Sequence, residues 1–319
     1  MYRGKRTGVV VPAYNEEKQI YRVLEGIPDF VDTIIVVDDA SSDGTAEVVK
    51  KYISDHRDER VILIRHDKNQ GVGGAIATGY KKAIELELDA VAVMAGDGQM
   101  DPADLPSLLD PIVEDRADYV KGNRLFTGEA WKKIPKVRYL GNAFLSLLTK
   151  IASGYWHIAD SQTGYTVINR RALLAIDWDT IYKRYGVPND ILIKLNIVNM
   201  RVMDVPVNPL YNVGEKSKMK IPKVILPISM LLLRGFFRRM WEKYVIRDFH
   251  PLVFFYTAGV VLTIPGLIFG LYLFIIRLMG HGVAPTSALF AMFLTISGIQ
   301  FLLFAMWFDM EYNRDLKPK

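Results

Sequence analysis

The stretch AVAVMAGDGQMDP, residues 90–102, decides how the first two thirds of this sequence should fold. Its apolar run, Ala90–Met94, is typical of a strand with both faces buried, because a half-exposed strand alternates apolar and polar residues. Glycines then flank Asp97 and let the chain turn sharply before Gln99. The predicted strand therefore ends on a carboxylate and an amide. What these two groups meet is the question that the rest of the sequence has to answer.

The same pattern, an apolar run followed by polar residues, occurs three times before this stretch, at residues 7–17, 32–45 and 60–66. Segments with helical spacing lie between the runs, at residues 18–27, 46–53 and 71–87. This alternation predicts an α/β fold with a mostly parallel, Rossmann-like sheet covered on both faces. Ligands of such sheets bind beyond the carboxyl ends of the strands. Polar residues cluster at those ends here: Asn15, Glu16, Asp38, Asp39, Asn69, Gln70, Asp97 and Gln99.

The residue types at these ends favour a hard metal ion. The chain has no cysteine, which excludes disulfides and thiolate sites, and no histidine lies near Asp97. Oxygen ligands suit Mg²⁺ or Mn²⁺, which would bridge a nucleotide diphosphate. The alternative is a solvated turn, since Gly and Asp are turn formers.

The glycine-rich segment NQGVGGAIATG, residues 69–79, fits neither the P-loop nor the dinucleotide-binding spacing. Nucleotide binding of the ATPase or dehydrogenase kind is therefore disfavoured. Close packing of a helix explains Gly73, Gly74 and Gly79 at least as well.

The last third of the chain is much more apolar. Residues 252–276 and 283–308 contain no charged residue, and each run exceeds the roughly 20 residues that a transmembrane helix needs. Two membrane spans are predicted, with a pair of buried soluble helices as the alternative. Before them, Arg234, Arg238, Arg239 and Lys243 interrupt an apolar segment, which predicts amphipathic helices at the membrane interface rather than a third span.

These features predict three regions: a catalytic domain at residues 1–220, interfacial amphipathic helices at 221–248, and a membrane domain with a cytoplasmic tail at 249–319. Residues 216–247 hold nine Lys or Arg and one acid, whereas the linker 277–282 holds only one Arg and one His. The positive-inside rule then places the N-terminal domain and the tail in the cytoplasm of a multi-pass membrane protein.

Seven pieces in order across residues 7–220 carry a resemblance to a known family: VVVPAYNEE, IIVVDDASSDGT, NQGVGGAIATGY, AGDGQMDP, GNR, DSQTGY and VPVNPLYNVGEKSKMK. The chain resembles family 2 glycosyltransferases of the GT-A fold. It is most similar to the membrane-anchored branch that loads a sugar onto a polyprenyl phosphate, the dolichyl-phosphate mannose or glucose synthase type.

The resemblance implies roles for the matching residues. Pro12, Tyr14 and Glu16 would line the nucleotide pocket, and Asp39 would hold the base. Asp97 would be the metal-binding acid, next to the donor.

On the acceptor side, Arg124, Arg138, Ser217 and Lys218 would hold the lipid phosphate, and Asp160 would be an acid beside them. The residues expected to take part in catalysis are Asp97, Gln99, Arg124, Arg138 and Asp160.

One departure from the family pattern concerns the metal. The usual motif is Asp-x-Asp, and its first acid falls on Ala95. Metal binding would then rest on Asp97, on Gln99 and on the diphosphate, with Asp101 as a further contributor. The QxxRW signature of processive polysaccharide synthases is absent, which argues against a polymerase.

The acceptor is predicted to be a phosphate, which is mostly dianionic at neutral pH and needs cations rather than a general base. Residues 121–138 hold six Lys or Arg, including Lys121, against one acid, and residues 216–223 add four more cations. The alternative is a basic surface that only binds anionic lipid. A hydroxyl acceptor would instead need a base, Asp190 or Asp160, although Asp190 also fits an N-cap of the following helix.

The sequence thus predicts an inverting transfer of one hexose from a UDP- or GDP-sugar to a polyprenyl or dolichyl phosphate, on the cytoplasmic face of the cell membrane. The alternatives are a transferase to a lipid hydroxyl such as a diacylglycerol, and a catalytically silent nucleotide-sugar-binding scaffold. The expected partners are the donor, the lipid phosphate and the bilayer. Nucleic acid is not expected as a partner. The surface of two spans would also allow a homo-oligomer.

Overall fold

The computed structural model of the protein describes residues 1–125, 136–208, 210 and 221–318, and for residues 136–144 and 221–224 it describes the backbone only. The chain forms two compact units. Unit 1 comprises Met1–Phe236 and Asp315–Lys319, and unit 2 comprises Phe237–Arg314. The predicted domain boundaries after residues 220 and 248 stay predictions. They are drawn where the chain is expected to meet the membrane, and such a boundary need not coincide with a boundary between compact units.

Strands and helices alternate along the first 125 residues of unit 1, as predicted. They are β1 (Thr7–Ala13), α1 (Ile20–Gly26), β2 (Thr33–Asp38), α2 (Thr45–His56), β3 (Val61–Arg65), α3 (Val72–Glu85), β4 (Ala90–Val93), α4 (Leu105–Val113) and β5 (Tyr119–Asn123). The chain continues with α5 (Lys136–Ser153), β6 (Thr166–Asn169), α6 (Arg170–Ala175), α7 (Val187–Ile197), β7 (Val202–Pro206) and α8 (Ile221–Trp241).

All seven strands form one sheet in the order β3-β2-β1-β4-β6-β5-β7. Its neighbouring pairs are parallel except for the two pairs that β6 makes, with β4 and with β5. The prediction of a mostly parallel sheet is confirmed. The chain first fills one side of β1 with β2 and β3 and then returns to the other side with β4. This reversal is a topological switch point, where parallel sheets leave a crevice for a ligand.

Helices cover both faces of the sheet. Successive side chains of a strand point to opposite faces, so Val10 packs in an apolar cluster with residues of α3, α6 and α7. Its neighbours Val9 and Val11 pack in a second cluster with residues of α1, α2 and α4. Because both faces are covered, the strands are continuous apolar runs.

The first part of α8 packs on α7 within unit 1. Ile228 and Leu232 lie in a small apolar cluster with Ile193 and Ile197 of α7. Other side chains of this segment are large, apolar and exposed: Ile225, Leu226, Met230 and Leu233. A helix at a membrane surface requires exposed apolar side chains of this kind. The interfacial position of α8 stays a prediction.

Unit 2 contains a π-helical turn, Glu242–Arg247, and two long helices, α9 (Leu252–Leu278) and α10 (Pro285–Tyr312). The most apolar windows of α9 and α10 have mean hydropathies of 2.4 and 2.1, so both are long and apolar enough to cross a membrane. They cover the predicted spans almost completely. In the described part of the chain no other helix meets these criteria.

The two long helices form a closely packed antiparallel hairpin. Gly259, Gly266 and Gly298 lie in their contact, and a Cβ on Gly298 would come within 2.5 Å of the backbone nitrogen of Thr263. Small residues of this kind let membrane helices approach each other.

A buried polar cluster lies at one end of this hairpin. The guanidinium of Arg239 forms a bidentate ion pair with Asp309, with Nη1–Oδ1 and Nη2–Oδ2 distances of 2.7 and 3.0 Å. Tyr244 donates its hydroxyl to Asp309 Oδ1 at 2.6 Å, and Lys243 donates to Asn313 Oδ1 at 2.8 Å. These side chains are almost fully buried within the fold.

The chain returns to unit 1 after the hairpin. Leu316 is buried in the same apolar cluster as Val10 of β1. Both ends of unit 2 therefore connect to unit 1.

Candidate active site

One edge of the sheet collects the predicted site residues. Six strands bring their carboxyl ends to this edge, and β6, which runs the other way, brings its amino end. Segments that follow β1, β2, β4, β5 and β7 therefore meet the segment that precedes β6. The predicted residues with described side chains all lie here: Pro12, Tyr14, Glu16, Asp39, Asp97, Gln99, Arg124 and Asp160.

The loop after β1 forms one wall of the switch-point crevice. Pro12 is buried, and its carbonyl accepts a hydrogen bond from the amide of Gly96 at 3.1 Å, which joins the ends of β1 and β4. The amide of Glu16 donates to Oγ1 of Thr45 at 2.9 Å, which joins this loop to the start of α2. Tyr14 has the most exposed side chain of the three predicted pocket residues, at 42%. It is therefore the one most available to a ligand.

Asp39 holds the loop that follows β3. Its Oδ1 accepts the amide of Gln70 at 2.8 Å, and its Oδ2 accepts the amide of Gly71 at 2.7 Å. Asp39 is only 2% exposed. The carboxylate thus shapes the crevice from within the fold, and its predicted contact with the nucleotide base stays a prediction.

His66 is a neighbour of Asp39 that the sequence interpretation missed. Its Nδ1 lies 2.7 Å from Oδ1 of Asp39, and its Nε2 lies 2.9 Å from Oγ1 of Thr78 on α3. His66 follows β3 directly, just as Asp39 follows β2, and this position at a strand end is the signal that could have identified it.

The turn after β4 answers the question raised by AGDGQ. Gly96 packs so closely on β1 and α1 that a Cβ would lie 3.2 Å from Cβ of Ala13, and Gly98 has a φ of +73°, which favours glycine. Within this turn Oδ1 of Asp97 accepts the amide of Gln99 at 3.1 Å. The two glycines therefore hold the carboxylate and the amide together at the end of β4, beside the switch point.

The side chains of Asp97 and Gln99 suit a divalent cation that takes its remaining ligands from a substrate. Both offer hard oxygen ligands, as Mg²⁺ and Mn²⁺ prefer. Within the described residues no group of three or more His, Asp or Glu side chains is placed to hold a metal by itself. Asp101 accepts the amide of Ala103 as an N-cap. The donor set thus suits a metal that also takes ligands from a diphosphate, as is usual for Mg²⁺.

The glycines of α3 serve close packing, as the alternative interpretation held. A Cβ on Gly79 would lie 2.3 Å from Cγ1 of Val10, and a Cβ on Gly73 would lie 2.1 Å from the carbonyl oxygen of Tyr182. The amide of Gly73 donates to the carbonyl of Lys183 at 3.0 Å. The start of α3 therefore holds a loop of the protein.

Arg124 and Asp160 form a bidentate pair on the other side of the crevice. Nε and Nη2 of Arg124 donate to Oδ2 and Oδ1 of Asp160 at 2.8 and 3.1 Å. The Asp160 side chain is 4% exposed, whereas that of Arg124 is 38% exposed. Burial opposes ionisation of Asp160, but its hydrogen bonds and charge interaction with Arg124 outweigh burial and lower its pKa. The pair presents a fixed, charged guanidinium, which suits a phosphate.

Lys121 does not belong to the exposed cations, contrary to the prediction. It lies in the centre of β5, fully buried, and its Nζ donates to the carbonyl of Thr163 at 3.0 Å. Burial lowers its pKa to about 8, against the opposing influence of Asp160 and Asp204. A side chain that points into the fold cannot line a surface for a lipid phosphate.

Asp204 of β7 is a second residue, after His66, that the sequence interpretation missed. Its Oδ2 accepts the amide of Ala159 at 2.6 Å and lies 3.3 Å from Nδ2 of Asn123. Burial raises its pKa to about 6. No pattern in the sequence around it distinguishes it from a surface acid.

Asp190 is not the N-cap of α7. The helix begins at Val187, with Gly186 as its N-cap, so Asp190 lies inside the first turn. Its Oδ2 accepts the amide of Tyr182 at 2.8 Å. The N-cap interpretation is therefore wrong, and Asp190 fixes the loop that packs on α3.

Three predicted acceptor residues lie outside the part described in atomic detail. Arg138 is in α5, where only the backbone is described, and Ser217 and Lys218 fall between the described segments. Their roles stay predictions.

Comparison with known proteins gives a consistent result. Residues 8–176 match the family described as glycosyl transferase family 2. The chain is 34% identical over 214 residues to a UDP-N-acetylglucosamine–dolichyl-phosphate N-acetylglucosaminyltransferase of Methanococcus voltae, which covers 64% of this chain and 85% of that protein. It is 30% identical over 217 residues to an undecaprenyl-phosphate mannosyltransferase of Micrococcus luteus, covering 67% and 87%.

The fold also resembles solved structures. Glucosyl-3-phosphoglycerate synthase of Mycobacterium tuberculosis, in complex with Mn²⁺, UDP-glucose and phosphoglyceric acid, matches with a TM-score of 0.53 and 18% identity, over 74% of this chain and 80% of that one. At this level of identity the match supports the predicted GT-A fold.

Proposed function

Because the chain belongs to glycosyl transferase family 2, and is therefore a glycosyltransferase, we propose that it transfers one hexose from a UDP- or GDP-sugar to a polyprenyl phosphate. We further propose that the transfer inverts the anomeric configuration. The relatives named above act on dolichyl or undecaprenyl phosphate with different sugars, which supports the acceptor class and leaves the sugar open.

The observation that carries the proposal is the Arg124–Asp160 pair. An acid that is to act as a general base must be able to take a proton near neutral pH. Asp160 is instead held ionised by the guanidinium, with its pKa lowered. The pair therefore suits an acceptor that is already an anion. A phosphate monoester meets this requirement, because its second pKa of about 6 leaves it mostly dianionic at pH 7.

The proposed chemistry is one displacement at the anomeric carbon. A phosphate oxygen of the lipid forms the new bond to this carbon, and the bond from the carbon to the nucleoside diphosphate breaks. Arg124 binds and orients the phosphate, and Asp160 holds the guanidinium in place. Positioning of this kind replaces base catalysis, because the nucleophile needs no deprotonation.

Asp97 and Gln99 would hold a divalent cation, which would offset the negative charge on the leaving diphosphate when bound. The turn that Gly96 and Gly98 form keeps both side chains at the end of β4. Ala95 leaves this chain without the first acid of the usual motif.

We also propose that unit 2 anchors the enzyme in the membrane with unit 1 on the cytoplasmic side. The cations between residues 216 and 247 support this orientation. Both ends of the helical hairpin connect to unit 1, which agrees with an even number of spans.

The test uses detergent-purified protein and a panel of UDP- and GDP-sugars. Each donor is offered with polyprenyl phosphate or with the matching polyprenol, with and without EDTA, and release of nucleoside diphosphate is recorded. We expect one donor to react, with polyprenyl phosphate and not with polyprenol. Release with polyprenol or diacylglycerol would indicate a hydroxyl acceptor, and release with none of the lipids would contradict the proposal.

The metal site is tested with a matched pair of variants. Asp97→Asn should abolish turnover, whereas Asp101→Asn should retain it, because the Asp101 carboxylate caps a short helix. Wild-type activity in Asp97→Asn would exclude Asp97 as a metal ligand, and loss of activity in both variants would indicate that Asp101 contributes as well.

A further inference from the structure

A fully buried lysine and a half-buried aspartate contact the segment that carries Asp160. Lys121 of β5 and Asp204 of β7 are register partners in adjacent parallel strands. Lys121 is fully buried, and the Oδ1 atom of Asp204 is buried as well, with no hydrogen-bond partner among the described atoms.

Each of these side chains holds one end of the same short segment. The carboxylate of Asp204 accepts the amide of Ala159 at 2.6 Å. The ammonium of Lys121 donates to the carbonyl of Thr163 at 3.0 Å. The segment 159–163 between these contacts contains Asp160, which holds Arg124. Direct contacts therefore lead from Lys121 and Asp204, through the segment 159–163, to the guanidinium of Arg124.

We propose that Lys121 and Asp204 are positioning residues for the acceptor. Together they clamp both ends of the segment 159–163 and so fix the guanidinium of Arg124 in the orientation that a lipid phosphate requires. The proposal deepens the function proposed above and rests on it, since the acceptor is taken to be a phosphate.

Stability alone does not explain the pair. Burial shifts both groups toward their neutral forms, with a pKa of about 8 for Lys121 and about 6 for Asp204. An apolar pair of similar size would usually be as stable or more stable. Both charged groups hold the segment of the predicted acceptor site.

The same two strands provide a natural control at the opposite edge of the sheet. Asp118, next to β5, is fully buried and accepts hydrogen bonds from Arg201, next to β7, at 2.8 and 3.2 Å. Burial raises the pKa of Asp118, but its hydrogen bonds from Arg201, Asn169 and Arg171 together outweigh burial, and the net shift is downward. This pair also joins β5 to β7. It lies at the end of these strands opposite the predicted acceptor site, so we expect it to stabilise the fold only.

The experiment compares Asp204→Asn, Lys121→Met and Asp118→Asn in the full-length protein. Asp204→Asn should raise the KM for polyprenyl phosphate about tenfold and leave the KM for the donor unchanged. Lys121→Met should affect the acceptor KM in the same direction. Asp118→Asn should lower thermal stability and leave both KM values unchanged. Asp204→Asn also covers the case in which Lys121→Met does not fold.

An unchanged acceptor KM in Asp204→Asn, or equal effects on acceptor and donor, would overturn the proposal. A second readout does not depend on the acceptor: hydrogen exchange of segment 159–163 should become faster in Asp204→Asn and stay unchanged in Asp118→Asn. If the wild-type enzyme does not use lipid phosphate, the proposed function fails, whereas unchanged exchange in Asp204→Asn contradicts the clamp itself.

Discussion

Replacing Asp160 by Asn should impair the use of the acceptor much more than the use of the donor. The Asp160 carboxylate accepts hydrogen bonds from N, Nε and Nη2 of Arg124 at 3.3, 2.8 and 3.1 Å. It also accepts the amide of Gln162 at 3.1 Å. An Asn side chain places an NH₂ group where one of these oxygens was, and that group would face donors. The variant also removes the charge that holds the guanidinium.

The expected loss follows from these contacts. A hydrogen bond between charged groups contributes about 1.5–3 kcal/mol. The Arg124 side chain is 38% exposed, so solvent screening places the effect near the lower end, at about 1.5–2 kcal/mol. If that energy serves to orient the acceptor, the kcat/KM for polyprenyl phosphate should fall about 10- to 30-fold.

The assay is initial-rate kinetics with each substrate varied in turn, in Asp160→Asn, Arg124→Met and the double variant. Residues that act as one unit show non-additive effects, so the double variant should be little worse than Arg124→Met alone. Additive losses, or a wild-type acceptor kcat/KM in Asp160→Asn, would refute the role of the pair. Loss of activity in Asp190→Asn with normal activity in Asp160→Asn would point to a hydroxyl acceptor with Asp190 as base.

Three further predictions concern stability. Gly73→Ala should destabilise unit 1 by about 1–3 kcal/mol in urea unfolding, because its Cβ would lie 2.1 Å from the carbonyl oxygen of Tyr182; an unchanged midpoint would contradict the close contact. Arg239→Met should lower thermal stability in detergent strongly, by about 3–5 kcal/mol, because it leaves Asp309 buried without its partner. The Arg239→Met/Asp309→Leu double variant should recover most of this loss. Asp118 has a pKa lowered from 3.8, so it contributes stability above its unfolded pKa that is lost as pH falls through the folded pKa. Wild-type stability should therefore decrease below about pH 4, and Asp118→Asn should show a shallower decrease.

The first half of the fold could be predicted because its signals are local. The strands from β1 to β4 are continuous apolar runs, and the helices between them repeat their apolar residues at helical spacing. The second half gave no such signal. β5 consists of Tyr119–Asn123, with a buried Lys121 at its centre, and a lysine is rarely buried unless a partner compensates for its charge. The reversed direction of β6 depends on the neighbours it pairs with and cannot be seen in its four residues.

The site shows the same division between local and tertiary information. Sequence motifs identify four of the residues that lie at this edge of the sheet, so these could be predicted: Asp97, Gln99, Arg124 and Asp160. His66 and Asp204 were missed because their roles come from contacts with distant segments. The start of α7 was placed too late, although Pro188, in the first turn of the helix, is a residue that commonly marks a helix start.

The burial of Leu316 has a consequence for how the protein is made. All the strands described, and the site residues between them, lie within the first 206 residues, so this part leaves the ribosome and begins to fold before the hairpin is synthesised. Leu316 joins the apolar cluster of unit 1 only after α9 and α10 have been translated. Folding of unit 1 is therefore completed only after the hairpin has been synthesised, and a chain that ended before Leu316 would lack part of that core.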